Sequence, residues 1–456
     1  MMKLFGTDGI RDAFGGEKIN PEMAAAFGKA VVSFCRKRNW PARVVVGRDP
    51  RESGPILEEA VVSGISSVGG EAVTVGVLPT PAIAYLVSEQ RAGAGIVISA
   101  SHNLFKDNGL KPFKQGGTKL SREEEKEIEG YILNEDTPER KNSNFSEGKK
   151  IILPDAKEKY AIFLLNKAKI WGIPRLSVGE GKSLALVLDC ANGATSEVAS
   201  DIFGKVVNEI SSLHASPDGK NINDDCGSQH TGSLQREVVA EKADLGLAFD
   251  GDGDRVIAVD EKGNALTGDQ MMYVIAKFLK EKGRLKKDLV VTTVMSNLGF
   301  VGALKKLGIG HIATAIGDRQ VFFEMKKKGA VLGGEESGHI IYSDFFPTGD
   351  GIAGGLLLFS AMSYFKKPLS ELAGEIALFP KLLVNIEVEN KPELDTIPEI
   401  RDIIEEVEGK LSSEGRVLVR YSGTENLCRV MVEGRDEGEI KKYAEKIAGV
   451  VRNKLG

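Results

Sequence analysis

The 456 residues carry 60 Lys and Arg against 65 Asp and Glu, a formal net charge of −5. That balance excludes nucleic acid as the main partner and leaves any basic surface as a local pocket. With 42% hydrophobic and 27% charged residues the chain is an ordinary globular one, too long for a single core, and its length predicts about three domains. The apolar uncharged run Gly351 to Phe365 falls short of the ~20 residues of a membrane span. The opening MMKLFGTDGIRD has no apolar core of signal-peptide length, so a soluble, cytoplasmic protein with no membrane partner is expected. Cys35, Cys190, Cys226 and Cys428 are scattered without metal-ligand spacing and read as reduced thiols.

Asn20-Pro21 supplies an N-cap and a first-turn proline, predicting a helix to about Arg38, then a buried strand over 44–46. The alternation continues through helix 52–68, strand 72–78, helix 80–89, strand 93–101 and the charged helix 121–133, the pattern of a largely parallel sheet covered on both faces. The polar stretch NEDTPERKNSNFSEGKK (134–150) reads as a linker. A second unit holds strand 183–189, a turn Cys190-Ala191-Asn192-Gly193 opening a helix, and strand 244–250. A third runs from Arg255 through helix 268–282, strand 288–295, helix 297–307, strand 311–316, helix 318–328 and strand 330–334.

After Pro368 the pattern becomes β-α-β-β-α: strand 381–389, helix 399–412, strands 416–422 and 426–434, and helix 437–454. The expected fold class is α/β, with three similar mixed or parallel α/β domains (1–150, 151–253 and 254–368) plus a smaller C-terminal α+β domain (369–456), around a central cleft. The oddest polar residues follow strands, where parallel α/β sheets put ligand sites.

In LAFDGDGDRVIAVDEKG (247–263), Asp250, Asp252 and Asp254 alternate with glycine. Three carboxylates so close need a cation, a bound proton or full solvent exposure. Oxygen-only donors on a bendable backbone suit a hard ion such as Mg²⁺ or Ca²⁺, against the plainer reading of a solvated acidic turn. A calcium loop of the helix–loop–helix type fits poorly, because Arg255 stands where its sharp turn wants Gly and the flanks are hairpin-like. Asp250 as an aspartyl-phosphate nucleophile, with Asp252 as acid/base, stays open.

GIVISASHNLFKDNGLKPF (95–113) delivers Ser101, His102 and Asn103 after a buried strand. Ser101 is a nucleophile or a loop-capping hydroxyl, and Lys111 is near enough to supply charge or a proton. In LGGEESGHII (332–341), Glu335, Ser337 and His339 alternate, which points them to one side as readers of sugar hydroxyls, with His339 titrating near neutrality; a solvated β-turn is the alternative. VRYSGTENLCRV (419–430) brackets Ser422, Gly423 and Thr424 with Arg420 and Arg429, groups that hold a phosphate dianion if the segment is more than a hairpin turn. FGTDGIRD (5–12) is a weaker signal: Arg11 is able to reach a site, but TDG would serve any turn. A hydroxyl nucleophile, a metal triad, a hydroxyl reader and a phosphate clamp together describe phosphoryl transfer on a sugar phosphate.

GTDGIR (6–11), SASHN with DNGLK (99–111), DGDGDR (250–255), GEESGH (334–339) and RYSGTEN (420–426) also occur in the order found in the α-D-phosphohexomutases, which the chain resembles over nearly its full length. NINDDCGSQHTGSLQREVVAEKADLGLAFDGDGDR (221–255), VMSNLG (294–299) and AIGDRQV (315–321) most resemble the branch that interconverts glucosamine 6-phosphate and glucosamine 1-phosphate. Asp12, Leu104 and Asn426 depart from the family's usual GIRG, ASHNP and SGTEP without removing a reactive group.

The resemblance implies an intramolecular phosphotransferase with phosphoserine at Ser101 and Mg²⁺ bridging it to Asp250, Asp252 and Asp254. A hexosamine bisphosphate would serve as primer and intermediate. It further implies Lys111 or His339 in proton transfer, Arg11, His102 and Arg255 beside the phosphoserine, and Glu335 and Ser337 on the sugar ring. Arg420, Ser422, Gly423, Thr424 and Arg429 would then hold the non-reacting phosphate. The partner is a hexose or hexosamine phosphate, and the chain a monomer or homodimer. The alternatives are a phosphomannomutase or phosphoglucomutase of the same mechanism, a dehalogenase-like sugar phosphatase, and a non-catalytic phosphosugar sensor.

Overall fold

The structure is a computed structural model that describes residues 4–6, 8–133, 148–170, 184–422 and 426–456. The expected linker lies almost wholly outside them. By contact density the chain divides into one unit of Met1–Met295 with Leu307–Glu375 and a second of Ser296–Lys306 with Ile376–Gly456.

In the first unit, strands β1 (Ile10–Ala13), β2 (Arg43–Arg48), β3 (Glu71–Val77), β4 (Ala94–Ile98), β5 (Asp107–Lys114), β6 (Thr118–Lys119) and β7 (Lys149–Ile152) form a sheet ordered β1-β5-β4-β2-β3-β7, with β6 on β5. Asn20 caps the helix Pro21–Lys37 by accepting from Met23 N, and a capping box at Ser121 starts Arg122–Ile132. The sheet is more mixed than the largely parallel one expected. β2, β3, β4 and β7 are parallel, but β5 returns antiparallel to β4 and β1 runs antiparallel to β5. The reason is the short loop after β4, which turns the chain straight back and sets Lys111 opposite Val97, close to the loop that Ser101 begins.

A second sheet holds β8 (Ala185–Asp189), β9 (Glu209–Leu213), β10 (Leu245–Phe249) and β11 (Val256–Asp260), ordered β11-β10-β8-β9. β10 and β11 form an antiparallel hairpin with Phe249 opposite Val256. The three aspartates are therefore the hairpin's connection, and this sheet runs on past the boundary expected at 253.

The third sheet holds β12 (Leu289–Thr293), β13 (Gly310–Thr314), β14 (Leu332–Gly334) and β15 (Ile340–Tyr342), ordered β13-β12-β14-β15. The apolar run Gly351–Phe365 is a helix buried along most of its length, a core element; no described helix is long and apolar enough to cross a membrane.

The second unit pairs β16 (Lys381–Glu387), β17 (Gly415–Tyr421) and β18 (Leu427–Gly434) antiparallel in the order β16-β18-β17. The helices Pro398–Leu411 and Glu437–Leu455 pack on it through Ile400, Val407, Ile447 and Val451. The helix Leu298–Lys306 belongs here, although it follows β12 in the chain. Its N-terminus is held by buried Glu433, which accepts from Leu298 N at 2.7 Å and pairs with Arg416 at 2.6 Å.

Candidate active site

The site grows from two loops of the first unit. Ser101, 2% exposed, follows β4 with φ of 54°, a left-handed conformation costly for a residue with a Cβ. What holds it is a set of buried hydrogen bonds. Ser99 Oγ accepts from Ser101 N at 2.8 Å and donates to Asp49 Oδ2 at 2.6 Å. Fully buried Arg51 pairs with Asp49 at 2.9 Å and donates to the carbonyls of Ser101 (3.0 Å), Asn103 (2.8 Å) and Asp107 (3.0 Å) and to that of Leu104. Asn223 Nδ2 reaches the carbonyls of Ser101 and Asn103 at 2.8 and 2.9 Å.

The aspartate connection is pressed against this loop. A Cβ on Gly251 would stand 2.6 Å from Asn223 Nδ2 and 2.7 Å from Ser101 O, and Gly253 has φ of 69°. Glycine is required at the first for approach and at the second for conformation. Ser101 Oγ donates to Asp250 Oδ2 at 2.8 Å. Asp250, Asp252 and Asp254 are 1%, 1% and 4% exposed, and one oxygen of each lies within 4.8 Å of the others. Burial, then Asp254 and Asp252, pushes the Asp250 carboxyl up to about 8 against the pull of Arg255. Asp252 Oδ1 and Asp254 Oδ1 are buried oxygens with no hydrogen-bond partner among the described residues. An oxygen-only, buried, strongly anionic set with free acceptors fits a hard divalent ion such as Mg²⁺.

Cations surround the triad. Lys111, 2% exposed, donates to Asp252 Oδ2 at 2.7 Å and stands 3.4 Å from Asp8. Burial opposes its charge, but Asp252 and Asp8 outweigh burial and raise its pKa. Thr80 Oγ1 also donates to Asp252 Oδ2. His339 lies with Nδ1 3.6 Å from Asp254 and Nε2 3.4 Å from Asp318. Its pKa is likewise raised, burial being outweighed by these two carboxylates. Lys119 joins Asp8 at 2.8 Å and Asp318, so Asp8, Lys119 and Asp318 extend one alternating network. Burial and the charges of Arg255, Arg11 and Lys111 lower His102 to about 4, leaving it neutral 3.4 Å from Ser101 Oγ. Arg11 donates to Asn103 Oδ1 at 3.0 Å, and Arg255 Nε is 3.9 Å from both Asp250 and Asp254.

The structure thus brings Ser101, His102, Lys111, Asp250, Asp252, Asp254, Arg255 and His339 together, with Arg11 at the edge of the serine loop. The sugar-loop alternation does not hold. Glu335 to Gly338 form a turn closed by Gly338 N on Glu335 O at 3.0 Å, so the three side chains do not share one side. Glu335 accepts from Gly317 N at 3.1 Å, Ser337 is exposed, and His339 is buried facing the aspartates.

In the second unit Arg420 and Arg429 sit directly opposite across β17 and β18. Like charges in that register repel, burial and Arg429 lower the Arg420 pKa, and Lys391 adds a third cation on Ser422 O at 3.0 Å. An anion relieves that repulsion. Gly423 and Thr424 lie outside the described residues. Sequence reading missed Asp8, Asp49, Arg51, Thr80, Lys119, Asn223 and Asp318. The signals were the strand-end GRDPR (47–51) and the D of AIGDRQV, polar residues directly after strands.

A buried serine hydroxyl against three carboxylates and ringed by cations defines a phosphoryl-transfer enzyme on a multi-sheet α/β frame. Profiles of phosphoglucomutase/phosphomannomutase α/β/α domains I, II and III and of its C-terminal domain match residues 2–139, 165–263, 267–379 and 383–450. A phosphoglucosamine mutase of Syntrophus aciditrophicus (strain SB) is 48% identical over 456 residues, all of both chains. Among solved structures, a phosphoglucomutase/phosphomannomutase family protein from Burkholderia thailandensis aligns with TM-score 0.81 at 20% identity over 100% of this chain and 99% of its own. N-acetylphosphoglucosamine mutase of Aspergillus fumigatus, solved with GlcNAc-6P and magnesium, aligns with TM-score 0.68 at 17% identity over 100% and 96%. The chain belongs to the phosphoglucomutase/phosphomannomutase family and is an intramolecular phosphotransferase of the isomerase class.

Proposed function

We propose that this chain interconverts glucosamine 6-phosphate and glucosamine 1-phosphate, with Ser101 carrying the phosphoryl group, Mg²⁺ at the aspartate triad and a hexosamine bisphosphate as intermediate and primer. The observation that carries the reading is the 2.8 Å contact of Ser101 Oγ with Asp250 inside a buried triad that keeps two oxygens without a hydrogen-bond partner among the described residues. The amino sugar is supported by the full-length 48% identity to a phosphoglucosamine mutase.

In one half-reaction a sugar hydroxyl oxygen bonds phosphorus as the Ser101 Oγ–P bond breaks, giving bisphosphate and free serine. In the other, Ser101 Oγ bonds the second phosphorus as its bond to the sugar breaks. A divalent ion in the triad supplies electrostatic stabilisation of the phosphoryl oxygens. The attacking hydroxyl gives up a proton and the departing oxygen gains one; Lys111 and His339, the titratable cations facing the triad, carry that exchange. Arg11, His102 and Arg255 position the phosphoserine. Glu335 and Ser337 hold ring hydroxyls, and Arg420, Ser422, Gly423, Thr424 and Arg429 grip the non-reacting phosphate.

The test is a coupled assay over glucosamine, mannose, glucose and N-acetylglucosamine 1-phosphates with the bisphosphate primer present. The highest kcat/KM is expected for glucosamine 1-phosphate. A higher value for mannose or glucose 1-phosphate would assign another sugar and leave the serine mechanism standing.

A further inference from the structure

Behind the serine loop, three side chains of different chemistry converge in the second sheet. Asp189 ends β8 and is fully buried, Cys226 is 1% exposed, and His214 follows β9 with its side chain about a third exposed. A carboxylate oxygen, a sulfur and a ring nitrogen from these residues lie within 4.8 Å of one another. The three stand singly in the chain, at 189, 214 and 226, with no second cysteine in ligand spacing to Cys226, so cysteine spacing alone gives no hint of them. The site is assembled by the loops after two adjacent strands and by the turn before Gly227.

His214 Nδ1 stands 3.1 Å from Asp189 Oδ1, yet this buried nitrogen makes no hydrogen bond among the described residues. The closeness of the two atoms is therefore not that of a donor and its acceptor. Nitrogen and oxygen ligands bonded at ~2.0–2.1 Å to a tetrahedral zinc ion stand ~3.3 Å apart, so the spacing is already that of two ligands of one ion. The carboxylate is also fixed as metal-ligating carboxylates are. Asp189 Oδ1 accepts from Ala191 N and Oδ2 from Gly227 N, each at 3.0 Å, leaving lone pairs on both oxygens. Cys226 supplies the soft donor that the oxygen-only triad lacks.

We propose that Asp189, His214 and Cys226 bind a borderline-soft divalent transition-metal ion of the zinc class, with water at the fourth position. Imidazole binds through Nδ1 in its neutral form. The thiol proton leaves to solvent as the metal–sulfur bond forms. Hard ions go to the aspartate triad, and the two sites divide metals by ligand softness. The ion would tie down the turns that support the nucleophile: Asn223 N donates to Ala191 O at 2.9 Å while its side chain holds the carbonyls of Ser101 and Asn103.

Cobalt(II) is the probe, because a thiolate-to-cobalt charge-transfer band arises only where sulfur ligates and the triad has none. Chelator-treated full-length protein titrated with Co²⁺ is expected to develop this band to one equivalent per chain, and Zn²⁺ to bleach it. The band is expected to vanish in Cys226→Ser and in His214→Gly, glycine suiting the φ of 45° at position 214, and to persist in Cys190→Ser. No band in the wild-type protein at excess cobalt would overturn the proposal. So would a band that survives Cys226→Ser or is lost with Cys190.

Discussion

Replacing Asp250 with asparagine tests the crowding of the aspartate loop. With the folded pKa raised to about 8 from 3.8, the wild-type protein without divalent metal binds this proton more tightly than its unfolded chain does. The stability tied to it is complete below pH 3.8 and is lost as pH rises toward 8. By pH 7 the loss amounts to about 4 kcal/mol. Asparagine has no charge to bury and escapes that loss. Its Oδ1 can still accept from Arg255 N, now at 3.1 Å from Asp250 Oδ1, while Nδ2 faces Ser101 Oγ, whose hydroxyl can turn to accept; the imperfect exchange costs about 1–3 kcal/mol. In EDTA the variant should therefore unfold later than wild type in a denaturant series at pH 7.5 and no later at pH 4.5. Saturating Mg²⁺ should reverse the order at pH 7.5 by stabilising wild type alone. Parallel pH dependence of the two proteins in EDTA would refute the reasoning, because it would mean that Asp250 keeps an ordinary carboxylate pKa.

Arg51→Met strands buried Asp49 and frees four loop carbonyls, so it should destabilise the protein by about 3–5 kcal/mol in denaturant unfolding and slow phosphorylation of Ser101. Asp350, buried and bonded to Tyr160 Oη at 2.9 Å, is pushed up to about 6 by burial. Wild type should lose roughly 2 kcal/mol between pH 3.8 and 6 that Asp350→Asn does not lose, read as the difference between their pH–stability curves. Arg420→Ala should remove a charge-assisted bond of about 1.5–3 kcal/mol, raising KM for the sugar phosphate by one to two decades with little change in kcat.

The architecture was readable where periodicity was clean. Pro21–Lys37 carries an N-cap and a first-turn proline, Thr80–Glu89 a first-turn proline and Asp318–Lys328 a C-terminal glycine, and the chain after Pro368 shows its β-α-β-β-α order directly. It misled where partners are remote. β5 is a strand because it pairs with β4 and β1, a fact absent from its own DNGLKPFK. The helix Leu298–Lys306 was read with the strand before it, since nothing local reveals that Glu433 holds its N-terminus. In the site, the aspartates and Ser101 announce themselves by unusual local chemistry. Arg51, Lys119 and Asp318 look like ordinary surface charges until the fold buries them beside opposite charges. Alternation misled at Glu335–His339, because two-residue periodicity predicts a shared face only in a strand and this segment turns.

The most direct test of the account is the covalent state of Ser101 during exchange. Protein incubated with hexosamine bisphosphate and then mapped by mass spectrometry should carry one acid-stable phosphoryl group on the peptide containing Ser101. Adding excess glucosamine 6-phosphate should discharge it into bisphosphate, and Ser101→Ala should neither be labelled nor turn over. Full turnover with Ser101 unmodified, or an acid-labile label on Asp250 in its place, would contradict the account.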